Sequence, residues 1–367
     1  MCKNMNLKNK KISFLEGIAY VITLIGLVVM VIFLVKISST YVIGGNLSTD
    51  DMAATGQVGD FMGGVIGSIW ALAGVFLYFS AIKMQNKELE NQAKYRREDA
   101  IMDAIKDFES TFFSLLDSQR KIKAELVGDF DEVKMENGNK MEGETLSVSG
   151  NEFFKEADIV LNKMYSFAER DDFHVNLNPN NDLPFAKNKE EQKQIKTRFS
   201  EDLTIVRLGL ADVGQEVFKR IKTRKSELKK CQALYLLFFV HFSSTIGHYC
   251  RHLYNILKYM DQAQMDIIGM IHNTFEDGEQ DKKLQEVANR FKRYAAFLQS
   301  SLSYSEMSIL FYNALIYDKA RKLYLKYNLL ENLQDIYLIK PEHKDLIPDF
   351  KCKSPDKMIL DYLSVEE

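Results

Sequence analysis

Three histidines, His241, His248 and His252, are spaced seven and four residues apart, with Tyr259 in line. If one helix carries them, that spacing puts all of them on one face. An H-x-x-x-H pair on a helix can offer two metal ligands. A zinc hydrolase would also need a carboxylate base, and this stretch holds no Asp or Glu before Asp261. The same imidazoles can instead form a polar seam inside a helical core. His248, Arg251 and His252 are the candidate polar functional cluster, the residue types a ribonuclease or an RNA contact would use.

Other chemistry is hard to find. Helical ribonucleases of the HEPN type need a longer Arg-to-His spacing than Arg170–His174 provides, and Arg251–His252 has no spacer at all. There is no phosphate-binding loop, nucleophile elbow, kinase signature or dinucleotide signature. Cys2, Cys231, Cys250 and Cys352 lie far apart and form no C-x-x-C pair, which argues against a disulfide framework or a zinc knuckle. No catalytic, cofactor-binding or metal-binding residue is therefore assigned, and the expectation is a protein that is not an enzyme and needs no cofactor. The run Lys219–Lys230, KRIKTRKSELKK, has seven basic residues in twelve. It could meet anionic lipid or RNA phosphates, although such a run is more often a solvated helix face.

The elements that must carry these residues follow from composition and patterning. The chain has 367 residues, 46% hydrophobic and 27% charged, with net charge −3. That excludes a disordered polyampholyte and a strongly basic nucleic-acid sleeve. Only five prolines occur, which favours long helices. Two stretches, Gly17–Val35 and Phe61–Ile82, carry no charge over 19 and 22 residues. As helices they cover roughly 28 and 33 Å, the thickness of a bilayer's hydrocarbon core. Two transmembrane helices are predicted at about 14–36 and 61–83, inside a membrane anchor spanning 1–83. Neither span contains an ionisable side chain of the kind that marks an ion pathway.

Lys3, Lys8, Lys10 and Lys11 precede the first span, and Lys83, Lys87, Lys94, Arg96 and Arg97 follow the second. The loop between them, 37–60, has neither Lys nor Arg. The positive-inside rule then places both termini in the cytoplasm, with a short outer loop. Gly63, Gly67, Ala71 and Gly74 fall on one face of the second span. Small residues there let helix backbones approach closely, either within the chain or between copies in a homo-oligomer in the lipid bilayer.

Downstream, all-α architecture is expected. A long exit helix covers 84–127, with Ile101, Ala104, Ile105, Phe108, Phe112 and Leu115 at helical spacing. A polar, Gly-punctuated flexible insert follows at 128–150, then a cytoplasmic helical domain at 151–340 and an irregular tail at 341–367. Within that domain helices are predicted over Asn151–Arg170, Gln194–Lys230, Gln232–Met260 and Asp281–Ser300. Another starts at Ser303, where S-Y-S-E forms a capping box. Residues 173–190 form a second loop. Cys231–Cys250 lacks acidic and basic residues other than its histidines, but its second half is too polar for a third span.

Several blocks resemble a known family. GDFMGGVIGSIWALAGVFLYFSAIKMQNKELE (59–90), FESTFFSLLDSQ (108–119), HYCRHLYNILKYMD (248–261), SSLSYSEMSILFYNAL (300–315) and KLYLKYNLLENL (322–333) are similar, in order, to blocks of AbiC-like phage abortive infection proteins of the two-transmembrane type. The resemblance implies a bacterial inner-membrane effector that arrests or kills an infected cell. Related two-span proteins serve retrons, so it also implies a reverse transcriptase and its RNA/DNA product as a restraining partner, with a phage-derived trigger. It brings no catalytic residues. A membrane-tethered ribonuclease and a non-toxic scaffold or sensor are the rival readings.

Overall fold

A computed structural model of the chain describes residues 14–40, 49–136, 140–175, 177, 189–211, 214–355 and 359–360. The basic residues 1–11, residues 41–48 of the outer loop, most of the 173–190 loop and the last seven residues of the tail lie outside them. Among the described residues the fold is all-α apart from one hairpin and an isolated bridge between Gln334 and Lys353, and the chain divides into two compact units, Met1–Ala100 and Ile101–Glu367.

The first unit is a helical hairpin. Helix α1 covers Phe14–Thr40; α2, Thr49–Phe61, runs through a π-helical turn, Met62–Ile66, into α3, Gly67–Glu125. The pairing is antiparallel. Ser80 Oγ donates to Glu16 Oε1 (3.2 Å), Trp70 covers Gly26, and Phe33 stacks on Phe61 with ring centroids 3.9 Å apart. Gly26 is the close approach: a Cβ there would lie 2.6 Å from Trp70 Nε1 and 3.1 Å from Ile69 Cγ2. The outer surface of the pair remains apolar and uncovered. Only 11% of the most apolar window of α1, and 17% of that of the second helix, is buried. A core helix of a soluble protein would be mostly covered, so both helices are candidate membrane spans by length, composition and exposure.

In the second unit the last turns of α3 lay Ile101, Ile105, Phe108, Phe112 and Leu116 on the core, as the spacing predicts. The segment expected as a flexible insert at 128–150 is instead an antiparallel hairpin, β1 (Val127–Glu136) paired with β2 (Lys140–Ser149). Its apolar anchors are sparse. Phe130 packs against Phe153 and Phe242, and Val133 is buried three residues on, so no two-residue alternation shows in the sequence.

Helices α4 (Gly150–Glu169), α5 (Lys189–Arg207), α6 (Gly214–Lys222), α7 (Glu227–His241), α8 (Ile246–His272), α9 (Asp277–Ser300), α10 (Tyr304–Ile316) and α11 (Asp318–Lys326) complete the unit. Two predicted helices are each broken. Gln194–Lys230 splits because Gly209, at φ +67°, ends α5 with the paired bonds of a Schellman motif: Leu210 N donates to Ile205 O and Gly209 N to Val206 O. Gln232–Met260 splits at a turn over 242–245. No span forms at Cys231–Cys250: Cys231, Leu234, Tyr235 and Phe238 point into the core. The centre is α10, buried at every position from Glu306 to Leu315 and flanked by α4, α7 and α11. Among its described residues the predicted irregular tail has no long helix, but it is not peripheral. Its short 3-10 turn, Pro341–Leu346, brings His343 into the core at 1% exposure.

Candidate functional site

The break between α7 and α8 undoes the expected histidine row. His241 ends one helix and His248 and His252 lie on the next. On α8 Arg251 and His252 diverge, because successive positions on a helix are about 100° apart. His248 is exposed. The ring of His252 turns toward α3, where its Nδ1 donates to Gln119 Oε1 at 2.7 Å. Burial, then the neighbouring His248, holds the pKa of His252 below its ordinary value, and burial does the same for His241. Arg251 points elsewhere. Its Nε donates to Gly247 O (3.1 Å), and its guanidinium lines a cleft of about 690 Å³ between α7, α8, α10 and α11.

That cleft is larger than the cavities lined by Arg170 and Arg198 (about 390 Å³) and by Gln119 and Tyr249 (about 380 Å³). Tyr254 and Lys258 line it from the same α8 face as Arg251, Phe239 from α7, Asn313 from α10 and Lys319 from α11. Phe239 meets Tyr317 edge-on at 5.8 Å and forms an aromatic wall. Asn313, 3% exposed, donates one amide proton to Tyr235 Oη (2.9 Å). No carboxylate lines the cleft. Sequence reasoning found Arg251 but missed Tyr254, Lys258 and Lys319. Arg251 and Lys258 are seven apart with Tyr254 between them, and that recurrence was the available signal.

The first turn of α10 holds a carboxylate knot. Ser303 caps α10 as predicted: Glu306 N donates to Ser303 Oγ (3.3 Å), and Glu306 Oε2 accepts from Ser303 N (2.7 Å). Glu306, fully buried, has two further partners the sequence did not reveal. Lys123 Nζ reaches Oε2 at 2.5 Å, and Tyr249 donates to Oε1 at 2.6 Å. One side chain thus ties α3, α8 and α10 together.

Glu227, Cys231 and His343 bring three possible metal ligands within 4.8 Å of one another. Their lone pairs do not converge. Tyr312 Oη accepts from Ile339 N (2.9 Å), so its proton goes to His343 Nδ1 (2.7 Å), and Nε2 carries the ring proton toward Glu227 Oε1 (3.2 Å). Cys231 Sγ is 3.8 Å from Nδ1 and 3.7 Å from Nε2. These near-equal distances put the sulfur close to the plane that bisects the two nitrogens, which the in-plane direction of neither nitrogen follows, and Nε2 already carries the ring proton. Burial keeps His343 neutral and pushes the Cys231 thiol up to about 12. The group is a hydrogen-bond chain that pins the tail to α7 and α10, and its residues do not fit a metal.

The row Gly63, Gly67, Ala71 and Gly74 does not pack on α1. Among the described residues nothing lies within 4 Å of a Cβ built on Gly63 or Gly74, and Ala71 is exposed. The π turn also shifts Gly63 around the axis relative to the other three.

No curated protein and no solved structure matches the chain. Residues 241–336, the segment that builds α8 to α11 and supplies all of the cleft lining but Phe239, match the family described as "Putative phage abortive infection protein", so the AbiC-like resemblance holds for this part of the chain.

Proposed function

We propose that the protein is a membrane-anchored effector of an antiphage, abortive infection system. The observation that carries this reading is the family match at 241–336 on a chain whose first unit is an apolar, largely uncovered helical hairpin. The hairpin sits in the bacterial inner membrane with both termini in the cytoplasm. On infection, a phage-derived trigger releases the second unit from restraint by a partner, such as a reverse transcriptase with its RNA/DNA product. Copies then associate in the bilayer through Gly67, Ala71 and Gly74, which are open to a second helix, and the membrane fails. The protein acts without catalysis.

The test is phage challenge of cells carrying the gene, with plating efficiency and membrane potential followed together. Protection accompanied by depolarisation is expected. Gly67→Ile should remove both while the protein still accumulates in the membrane fraction, because a branched side chain blocks close helix approach. Protection with the membrane potential intact would sink the membrane-disruption step, and full activity of Gly67→Ile would sink the association step.

A further inference from the structure

On α11, Arg321 pairs with Asp318 and Lys326 with Asp261. Three further cations, Arg251, Lys258 and Lys319, line the cleft. Among the described residues Arg251, Lys258 and Lys319 form no ion pair. A cavity of about 690 Å³ falls inside the roughly 300–1,000 Å³ usual for small-molecule sites. Three cations on one cleft that no carboxylate lines favour an anionic ligand. Arg251 and Lys258 are two helical turns apart, about 10 Å along α8. That reach suits a chain of phosphates better than a single one. Arg is also the side chain whose planar donors match phosphate oxygens.

The rest of the lining fits a flat body attached to that polyanion. Phe239 and Tyr254 offer ring faces or edges, and base–aromatic contacts are worth roughly 1–3 kcal/mol each. Asn313 commits one amide proton to Tyr235 and can direct the remaining amide groups at the edge of a base. A lipid headgroup would leave the aromatic wall without a partner. We propose that the α7–α8–α10–α11 cleft binds a nucleoside polyphosphate, with Arg251, Lys258 and Lys319 on the phosphates and Phe239, Tyr254 and Asn313 around the base. This site is independent of membrane killing, because it is measured as binding on purified protein and not as toxicity.

The experiment uses the full chain in detergent micelles with ATP as probe, read by thermal shift and equilibrium titration. ATP should bind and raise Tm, while adenosine and inorganic phosphate each bind at least about tenfold more weakly. Arg251→Glu and Lys319→Glu should each lower ATP affinity by about tenfold or more, since each removes a charge-assisted contact. Lys283→Glu, a solvent-facing residue of α9 paired with Glu286, should leave it unchanged. The charge-neutral pair Arg251→Gln and Lys319→Gln repeats the test with less strain on folding. No ATP binding, equal binding by phosphate alone, equal ATP affinity in the Arg251 and Lys319 variants, or capture by anionic vesicles that ATP does not displace would each overturn the proposal.

Discussion

Glu306 accepts from Lys123, Tyr249 and the Ser303 backbone with no exposure to water. Removing one partner of a buried ion pair leaves the other charge unpaired, a loss of about 3–5 kcal/mol. Glu306→Ala should therefore lower Tm sharply in detergent, and Glu306→Gln, which keeps part of the hydrogen bonding, should lower it less. Asp158 gives a different signature. Burial pushes its carboxyl up to about 7, against an ordinary value near 4. The folded state holds that proton more tightly than the unfolded chain does. Its stabilising effect is thus complete below about pH 4 and is lost as pH rises toward 7, at up to roughly 1.4 kcal/mol per unit. Asp158→Asn, neutral at every pH, should be more stable than the parent at pH 8 by a few kcal/mol, with the gap narrowing as pH falls and closing below about pH 4. A pH-independent difference in Tm would contradict the burial of this acid.

Two elements depend on glycine because a neighbour occupies the place of a side chain. At Gly128 a Cβ would lie 2.7 Å from Phe153, a ring with no exposure and neighbours on several sides. Gly128→Ala should cost about 1–3 kcal/mol by overpacking, measured as a lower denaturation midpoint. Gly143 is a useful contrast, since the atom in its way is the end of a Leu203 side chain, which can turn aside. In the first unit, Gly26→Leu would drive into Trp70 and should loosen the α1–α2/α3 hairpin. Cysteines placed at Phe33 and Phe61, whose rings stack, should crosslink readily in the parent and poorly in the Gly26→Leu background. Efficient crosslinking in both would show that this close approach does not hold the hairpin.

At the scale of the whole molecule, the charges beside the spans give the proposed topology its test. Lys and Arg flank both outer ends of the hairpin sequence and are missing from 37–60. Fluorescent-protein fusions at either terminus should fluoresce, and alkaline phosphatase should be active only when inserted between the spans. Activity of a terminal phosphatase fusion would reverse the orientation. The chain passes from the first unit to the second inside α3, with no Gly or Pro between Ile82 and Glu125. Truncation within that helix should therefore disturb both units, because each draws core residues from it: Ala73 and Ser80 in one, Phe108 and Phe112 in the other.

Much of this was legible before any fold was known, because it depends on local periodicity. The two apolar helices, the core stripe of α3 and the Ser303 capping box each follow from neighbours in the sequence. Other features depend on contacts between distant segments. The hairpin at Val127–Ser149 is held by Phe130 against rings on α4 and beyond α7, and local composition gave no hint of it. His343, Tyr312 and Glu227 meet across 116 residues of chain. A turn after His241 ends α7 and puts His241 and His248 on different helices, and the cleft lined by Arg251 and Lys319 draws its walls from α7, α8, α10 and α11. Helical spacing fixes which residues share a face, but only packing decides what that face meets.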